Sequence, residues 1–400
     1  MKLMNRFYSL LALLLVGSAN LLAQDDPFPD KAIPARKYQG SMTCTSQVMQ
    51  NGVVVTEAVV AAYCGDDFLG KESVGAGTDP NIAFLTIYGN DTGDIQNLHF
   101  KVFTQGKVFT CNPIPALSYT FNGTVGSNSN PYIIDITPVS LANDADNTAT
   151  LTTWKDKTCD VALTGRTLYK DDAWNTLCLP FSLSEEQIAD SDLAGATIME
   201  LDATGTYDTD KHTGFDATNG TLYLYFKTAT SIEAGKPYIV KWTSGTNLEK
   251  PVFTSVTMTS TEAGTVEAKN SGLNTVQFIG TYSPTPLTPN DKSNLFLGEG
   301  STLYYPNAAN NADGKYYVNS CRAYFHVDLN GSAGIRAFVL NFGDDEKVTT
   351  GIVSMEEGRD MMEDGRGKME DVQIYNLAGQ RLQKAQRGLY IANGKKVVIK

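Results

Sequence analysis

Thr43-Cys-Thr-Ser-Gln-Val-Met49, then Asn51-Gly52, then Val53-Val-Val-Thr56 is the stretch that decides the fold. Asn-Gly supplies the positive φ angles of a tight primed turn, so the runs on either side are predicted to pair as a β-hairpin. The same grammar extends along the chain. Short apolar runs recur at 58–64, 82–88, 98–104 and 132–136, separated by clusters of Gly, Asp and Asn. This spacing favours an antiparallel sandwich, because βαβ units would need helix-length crossovers between the strands. Residues 37–137 are expected to form an N-terminal β-sandwich domain, and 138–345 a second β-rich domain. The second carries strand runs at 163–169, 175–181, 221–227, 237–242, 252–257, 276–279, 295–297, 303–305, 315–327 and 335–342. Aromatic and β-branched residues dominate them, as a pleated, half-buried surface prefers. Ser184-Glu-Glu-Gln187 is a capping box and predicts one short helix. The expected fold is all-β: two antiparallel β-sandwich domains, a short C-terminal β segment and that single helix.

With 42% hydrophobic and 19% charged residues, the 400-residue chain is not a disordered one, and its 35 glycines show no collagen period. A formal net charge of −12 disfavours nucleic acid as a partner. Residues 1–23 order Lys2 and Arg6, an apolar run, and then small residues, the pattern of a secretory signal. Cleavage is expected after Ala23, making Gln24 the mature N-terminus, with Ala19 as the alternative. Residues 24–36 are read as a polar, Pro-containing leader. No later stretch approaches 18 consecutive apolar residues, so no integral membrane span is expected. The six cysteines allow 15 full pairings, and buried free thiols are an equal alternative.

Residues 346–371 form an acidic linker, with seven acids and three bases between 354 and 371. Residues 372–400 invert the sign, with six bases and no acid. There Val372-Gln-Ile-Tyr-Asn-Leu-Ala-Gly-Gln-Arg381, then Arg387-Gly-Leu-Tyr-Ile391, then Lys395-Lys-Val-Val-Ile-Lys400 read as three short strands, with a turn over 376–379 and a hairpin closed by Asn393-Gly394. This tail resembles the Por-type (type IX) C-terminal sorting domain of exported Bacteroidetes proteins, through Tyr375, Asn376, Gly379, Gln380, Gly388, Tyr390 and Gly394. It is shorter than the family pattern between Ile391 and Lys395. The resemblance implies an extracellular or outer-membrane surface location, with the periplasm as the alternative, and export machinery as a partner of the tail. The body is similar to β-rich regions of such proteins that carry no assigned activity. The matching pieces are Trp174-Asn-Thr-Leu-Cys-Leu-Pro-Phe181, Ala234-Gly-Lys-Pro-Tyr-Ile-Val-Lys241, Phe278-Ile-Gly-Thr-Tyr282 and Arg322-Ala-Tyr-Phe325. Residues 59–65 followed by Phe84-Leu-Thr-Ile-Tyr-Gly89 resemble an N-terminal sandwich module of the same group. Cys178 with Cys321 is one pairing such a domain could hold, and spacing does not decide it.

Local chemical motifs fail where their chemistry is decided. Gly65-Asp-Asp-Phe-Leu-Gly-Lys71 begins like a phosphate-binding loop, but Glu72 stands where a magnesium-holding Ser or Thr is needed, and Asp66 and Asp67 would repel phosphate. A hairpin turn accounts for its glycines. His99, His212 and His326 are not at metal-binding spacing, and no G-x-S-x-G or H-E-x-x-H occurs. The acid pairs Asp171-Asp172, Glu185-Glu186 and Asp344-Asp345 carry no information about a cleft. Asn143-Asp-Ala-Asp-Asn147 and Asp208-Thr-Asp210 gather oxygen ligands without the twelve-residue calcium loop. No cofactor and no metal are expected. Trp154, Trp242, Tyr304 and Tyr305 are the candidate ligand-contact aromatics, although neighbouring Tyr304 and Tyr305 in a strand must face opposite ways. The expectation is a secreted or cell-surface structural or adhesive protein without catalytic activity, with a glycan or protein surface as ligand. A carbohydrate-binding protein using exposed aromatics and an acidic glycoside hydrolase are the alternatives.

Overall fold

A computed structural model describes residues 26–93, 95, 98–111, 116–205, 212–306, 312–332 and 334–343, and the backbone of five further strands between 349 and 399. The expected signal segment with Ala23 and Gln24 lies outside the described residues, as do Asp208, Asp210, Asp344, Asp345, Asn376, Gly379, Gln380 and Gly394. The chain is all-β, built of several mostly antiparallel sheets. It divides into two compact units: Met1–Leu141 with Thr150–Thr164 and Lys250–Thr259, and Ala142–Ala149 with Gly165–Glu249 and Ser260–Lys400. Thr150–Thr164 and Lys250–Thr259, which the sequence places in the second domain, therefore group with the first unit.

In the first unit the predicted hairpin forms. Gly40–Gln50 pairs with Val53–Val54 across Asn51 (φ 51°) and Gly52 (φ 77°), both in the left-handed region that the turn requires. The same long strand pairs antiparallel with Ala83–Gly89 and parallel with Thr124–Val125 and Tyr132–Asp135. A second sheet runs in the order Asp67–Ser73, Val59–Cys64, Leu98–Thr104, Lys107–Cys111. Cys44, Val48, Val60, Ala62, Leu85, Ile87, Phe100 and Val102 form the core of this sandwich. Only Gly65 and Asp66 of the Gly65-to-Lys71 segment make the turn, and the chain then continues as a strand. At Gly70 (φ 148°) a Cβ would lie 2.1 Å from the Thr86 carbonyl oxygen, so the backbone of the two sheets meets there only because no side chain intervenes.

The remaining strands of the unit form a three-stranded sheet in the order Val139–Ala142, Thr158–Thr164, Val252–Thr257. Asp160 joins them to the sandwich, since its carboxylate accepts the amides of Thr110 at 3.2 Å and Ser255 at 2.8 Å. That bridge, the Thr110–Ser255 hydroxyl bond and the pairing with Val139–Ala142 tie Thr158–Thr164 and Val252–Thr257 to the first unit.

The second unit has a sheet ordered Asn175–Cys178, Pro237–Lys241, Thr197–Leu201, Thr221–Thr228, Ala337–Asn341, Thr349–Ile352, with Gly214–Asp216 also paired to Thr221–Thr228. Thr221–Thr228 and Ala337–Asn341 run parallel. A five-stranded sheet is ordered Thr265–Ala268, Val276–Gly280, Ala323–Val327, Asn294–Leu297, Leu303–Tyr304. Trp174, Phe226, Phe278, Phe325 and Phe342 fill the core that both sheets contribute to, with Phe278 stacked on Phe325 at 4.5 Å.

Three expectations need correction. Three α-helices are described instead of one: Ala32–Lys37, which starts within residues 24–36 read as the leader and ends at the first residue of the expected domain, Thr148–Trp154, and the predicted Glu185–Ala189. In the last, Ser184 Oγ accepts the Gln187 amide and Gln187 Oε1 accepts the Ser184 amide, as the capping box requires. Thr349–Ile352, counted in the acidic linker, is a strand paired with Ala337–Asn341. The tail has four short strands, Ile374–Tyr375, Arg381–Leu382, Gly388–Ala392 and Lys395–Ile399, in one antiparallel sheet. Ala392 pairs with Lys395, and Asn393 and Gly394, where the hairpin turn is expected, lie outside the described residues.

Candidate functional site

The candidate site is the face of the Val59–Cys64 sheet that points away from the sandwich core. Alternation along the strands puts Val60, Ala62, Phe100 and Val102 inside, and Val59, Ala61, Tyr63, Lys101, Phe103 and Val108 outside. Cross-strand register places Lys71 and Lys101 on either side of Ala61, and Phe68 and His99 on either side of Tyr63. Ala61 nevertheless has 0% exposure, and it clusters with Tyr63 and with Phe28 from the N-terminal segment. The rings of Phe28 and Tyr63 meet edge-on at 6.4 Å, and His99 stacks on the Tyr63 ring at 5.9 Å. Val59, Phe68, Phe103 and Val108 stay half-buried around this plug.

Polar contacts fix the plug. Asp26 Oδ1 accepts the Phe28 amide at 3.1 Å and a bond from Lys71 Nζ at 2.8 Å, and Lys71 Nζ also donates to the Phe28 carbonyl at 3.2 Å. Lys31 reaches Glu72 at 3.5 Å, and Lys37 reaches Asp67 at 2.5 Å. Lys101 Nζ lies 4.8 Å from the centre of the Tyr63 ring, a cation–π contact. Burial, together with the Asp26 charge, pushes the Tyr63 phenol above its ordinary range. Beside the plug opens a cleft of about 440 Å³ lined by Asp26, Phe28, Asp30, Lys31, Val59, Lys71, Glu72 and Ser73. No protein-family model, curated protein or solved structure matches the chain.

What this surface can do chemically is hold a ligand between an apolar floor and a rim of mixed charge. The carboxylates at the rim are already engaged: Asp26 with Lys71, Glu72 with Lys31 and the Ser73 amide, Asp30 with the Ala32 amide. Among the described residues no three His, Cys, Asp or Glu side chains group as metal ligands do. In the Asn143-to-Asn147 segment, Asp146 Oδ1 accepts from Thr148 and Ser283, and Asn147 spans Ala142, Tyr282 and Ser320. Those bonds hold a loop together.

The aromatics singled out in the sequence are not brought together. Trp242 is buried and donates its indole N–H to the Ala194 carbonyl, and Tyr305 is buried with its hydroxyl bonded to Ile335. Tyr304 is half-buried, stacked on Phe296 at 5.8 Å on the opposite side of its strand from Tyr305. Trp154 is half-buried in the first unit beneath Lys157. Trp242 and Tyr305 are therefore core residues of the second unit. Sequence reasoning missed Phe28, Phe68, Phe103 and Lys71. The available signal was Val59-Val-Ala-Ala-Tyr63, apolar at every position, which marks a strand covered on both faces. No described helix is long and apolar enough to cross a membrane.

Proposed function

We propose that this chain is an exported, cell-surface β-protein that acts by contact and not by catalysis, with the outward face around Phe28 as its contact surface. The observation that carries the reading is that face itself. An antiparallel sheet with one side on a core ordinarily presents polar residues on the other, whereas here Val59, Phe68, Phe103 and Val108 cluster around an aromatic plug. Export rests on the N-terminal signal pattern and on the resemblance of the basic tail to a sorting domain, with the export machinery as its partner. The test is adherence of cells displaying the chain to a glycoprotein-coated surface. Phe68→Asp combined with Phe103→Asp is expected to reduce adherence at least about tenfold, the value of a small hot-spot cluster, with display level and far-UV circular dichroism unchanged. Equal adherence by the variant refutes the assignment of this face. A chain ending at Asp371 is expected to lose exposure to protease on whole cells, and unchanged exposure refutes the sorting role of the tail.

Carbohydrate is the second reading for the ligand. It is favoured by the cleft, where Asp30, Lys31, Lys71 and Glu72 converge beside Phe28 and Val59 and so pair polar groups with an apolar wall. Retention on a panel of immobilised plain polysaccharides, lost with Lys71→Ala, separates it from a protein ligand.

A further inference from the structure

We propose that Cys178 and Cys321 close a disulfide in the mature, exported protein, stapling the end of the Asn175–Cys178 strand to the turn that precedes Ala323–Val327. In the structure both are free thiols, 0% and 2% exposed. Three backbone features bring them together. The Cys178 amide donates to the Cys321 carbonyl at 3.3 Å, a bond that holds the two α-carbons within reach of a disulfide. The Cys321 amide donates to the Thr281 carbonyl at 2.8 Å, and adjacent Gly280 abuts the Cys178 sulfur so closely that a Cβ would lie 2.4 Å from it. Both cysteines thus lie against residues 280–281, where the chain carries glycine next to the sulfur.

Cys321 also sits at φ 56°, in the left-handed region, within the Ser320–Cys321 turn. Glycine or asparagine fits there with less strain, so a cysteine at that position points to a use for its side chain. The two lie 143 positions apart, and a cross-link there restricts much of the unfolded second unit.

The step balances with a small-molecule disulfide as oxidant. Each thiol gives up its proton, the two sulfurs bond, and the electron pair passes to glutathione disulfide, whose S–S bond breaks to leave two thiols. Burial raises both thiols, Cys321 to about 12, so the bond forms during folding, before the sulfurs are enclosed. This inference rests on export for its place in the cell, but its test does not. The full chain, unfolded in reductant, is refolded in a glutathione redox buffer, alkylated and digested. A peptide linking Cys178 to Cys321 is expected, and the thiols that alkylate should fall from the six of the reduced chain. Absence of that linked peptide, whether all six alkylate or another pair is joined, overturns the proposal. Cys321→Gly retains the left-handed turn. It is expected to fold in reductant like the parent and to lose the parent's gain in melting temperature on oxidation. An equal gain in the variant also overturns the proposal.

Discussion

Asp160 makes the stability of the first unit depend on pH, and Asp160→Asn should remove that dependence. The residue is 2% exposed, and its carboxylate bridges the Thr110 and Ser255 amides. Burial outweighs the two amide bonds and raises the carboxyl from 3.8 to about 6. A raised acid pKa means that the folded state holds the proton more tightly than the unfolded state. The stabilisation from that proton is therefore full below about pH 4 and is lost as pH rises to and past about 6. A displacement of about two units corresponds to about 3 kcal/mol, nearly all of it expressed between about pH 4 and pH 7. Asparagine does not titrate, but its amide nitrogen must face one of the two backbone N–H groups, at a cost of about 1–2 kcal/mol. The measurement is urea unfolding of parent and variant from about pH 4 to pH 7.5, with the difference in free energy plotted against pH so that other titrating groups cancel. The variant should be the weaker by about 1–2 kcal/mol at the acid end and should equal or overtake the parent near neutrality. Parallel profiles would refute a buried, titrating Asp160.

Gly70→Ala would press a Cβ against the Thr86 carbonyl oxygen at a φ of 148°, and about 2 kcal/mol or more of stability should be lost, read as a lowered urea midpoint. Ser184→Ala removes the acceptor for the Gln187 amide and should cost about 1 kcal/mol, with faster exchange of that amide and no effect on the thiol pattern after oxidative refolding.

Local grammar made the fold class legible, while contacts between distant segments stayed hidden. Asn51-Gly52 and Ser184-Glu-Glu-Gln187 specify their own geometry within four residues, and both appear as expected. The single run expected over 315–327 is split into Tyr316–Val318 and Ala323–Val327 because the chain turns at Ser320–Cys321; Asn319 opens that turn, but the left-handed residue is Cys321, a residue type that does not announce one. The Thr221–Thr228 strand finds a parallel partner more than a hundred residues later, at Ala337–Asn341, and period-two patterning does not report such pairings. Trp242 and Tyr305 were candidates for ligand contact because aromatic content does not distinguish a core from a surface. Their hydroxyl and indole groups are satisfied inside by Ile335 and Ala194.

The hidden coverage of Val59-Val-Ala-Ala-Tyr63 bears most on function. Its second covering layer is Phe28, isolated between Pro27 and Pro29 in a segment whose composition reads as linker. Burying that ring contributes about 2–3 kcal/mol, and the partly exposed Asp26–Lys71 pair about 1. Holding residues 26–28 in one conformation costs about 1–2 kcal/mol for each residue, so the two sides nearly cancel. A plug so close to balance is expected to open more often than the sandwich beneath it unfolds, and opening would expose the floor at Ala61, between Lys71 and Lys101. A contact partner that supplied its own apolar group would then compete with Phe28 for the same floor. Its apparent affinity should rise when Phe28→Ala empties that floor and fall when Phe68 and Phe103 are made acidic, a pair of opposite shifts that a merely structural role for the segment would not produce.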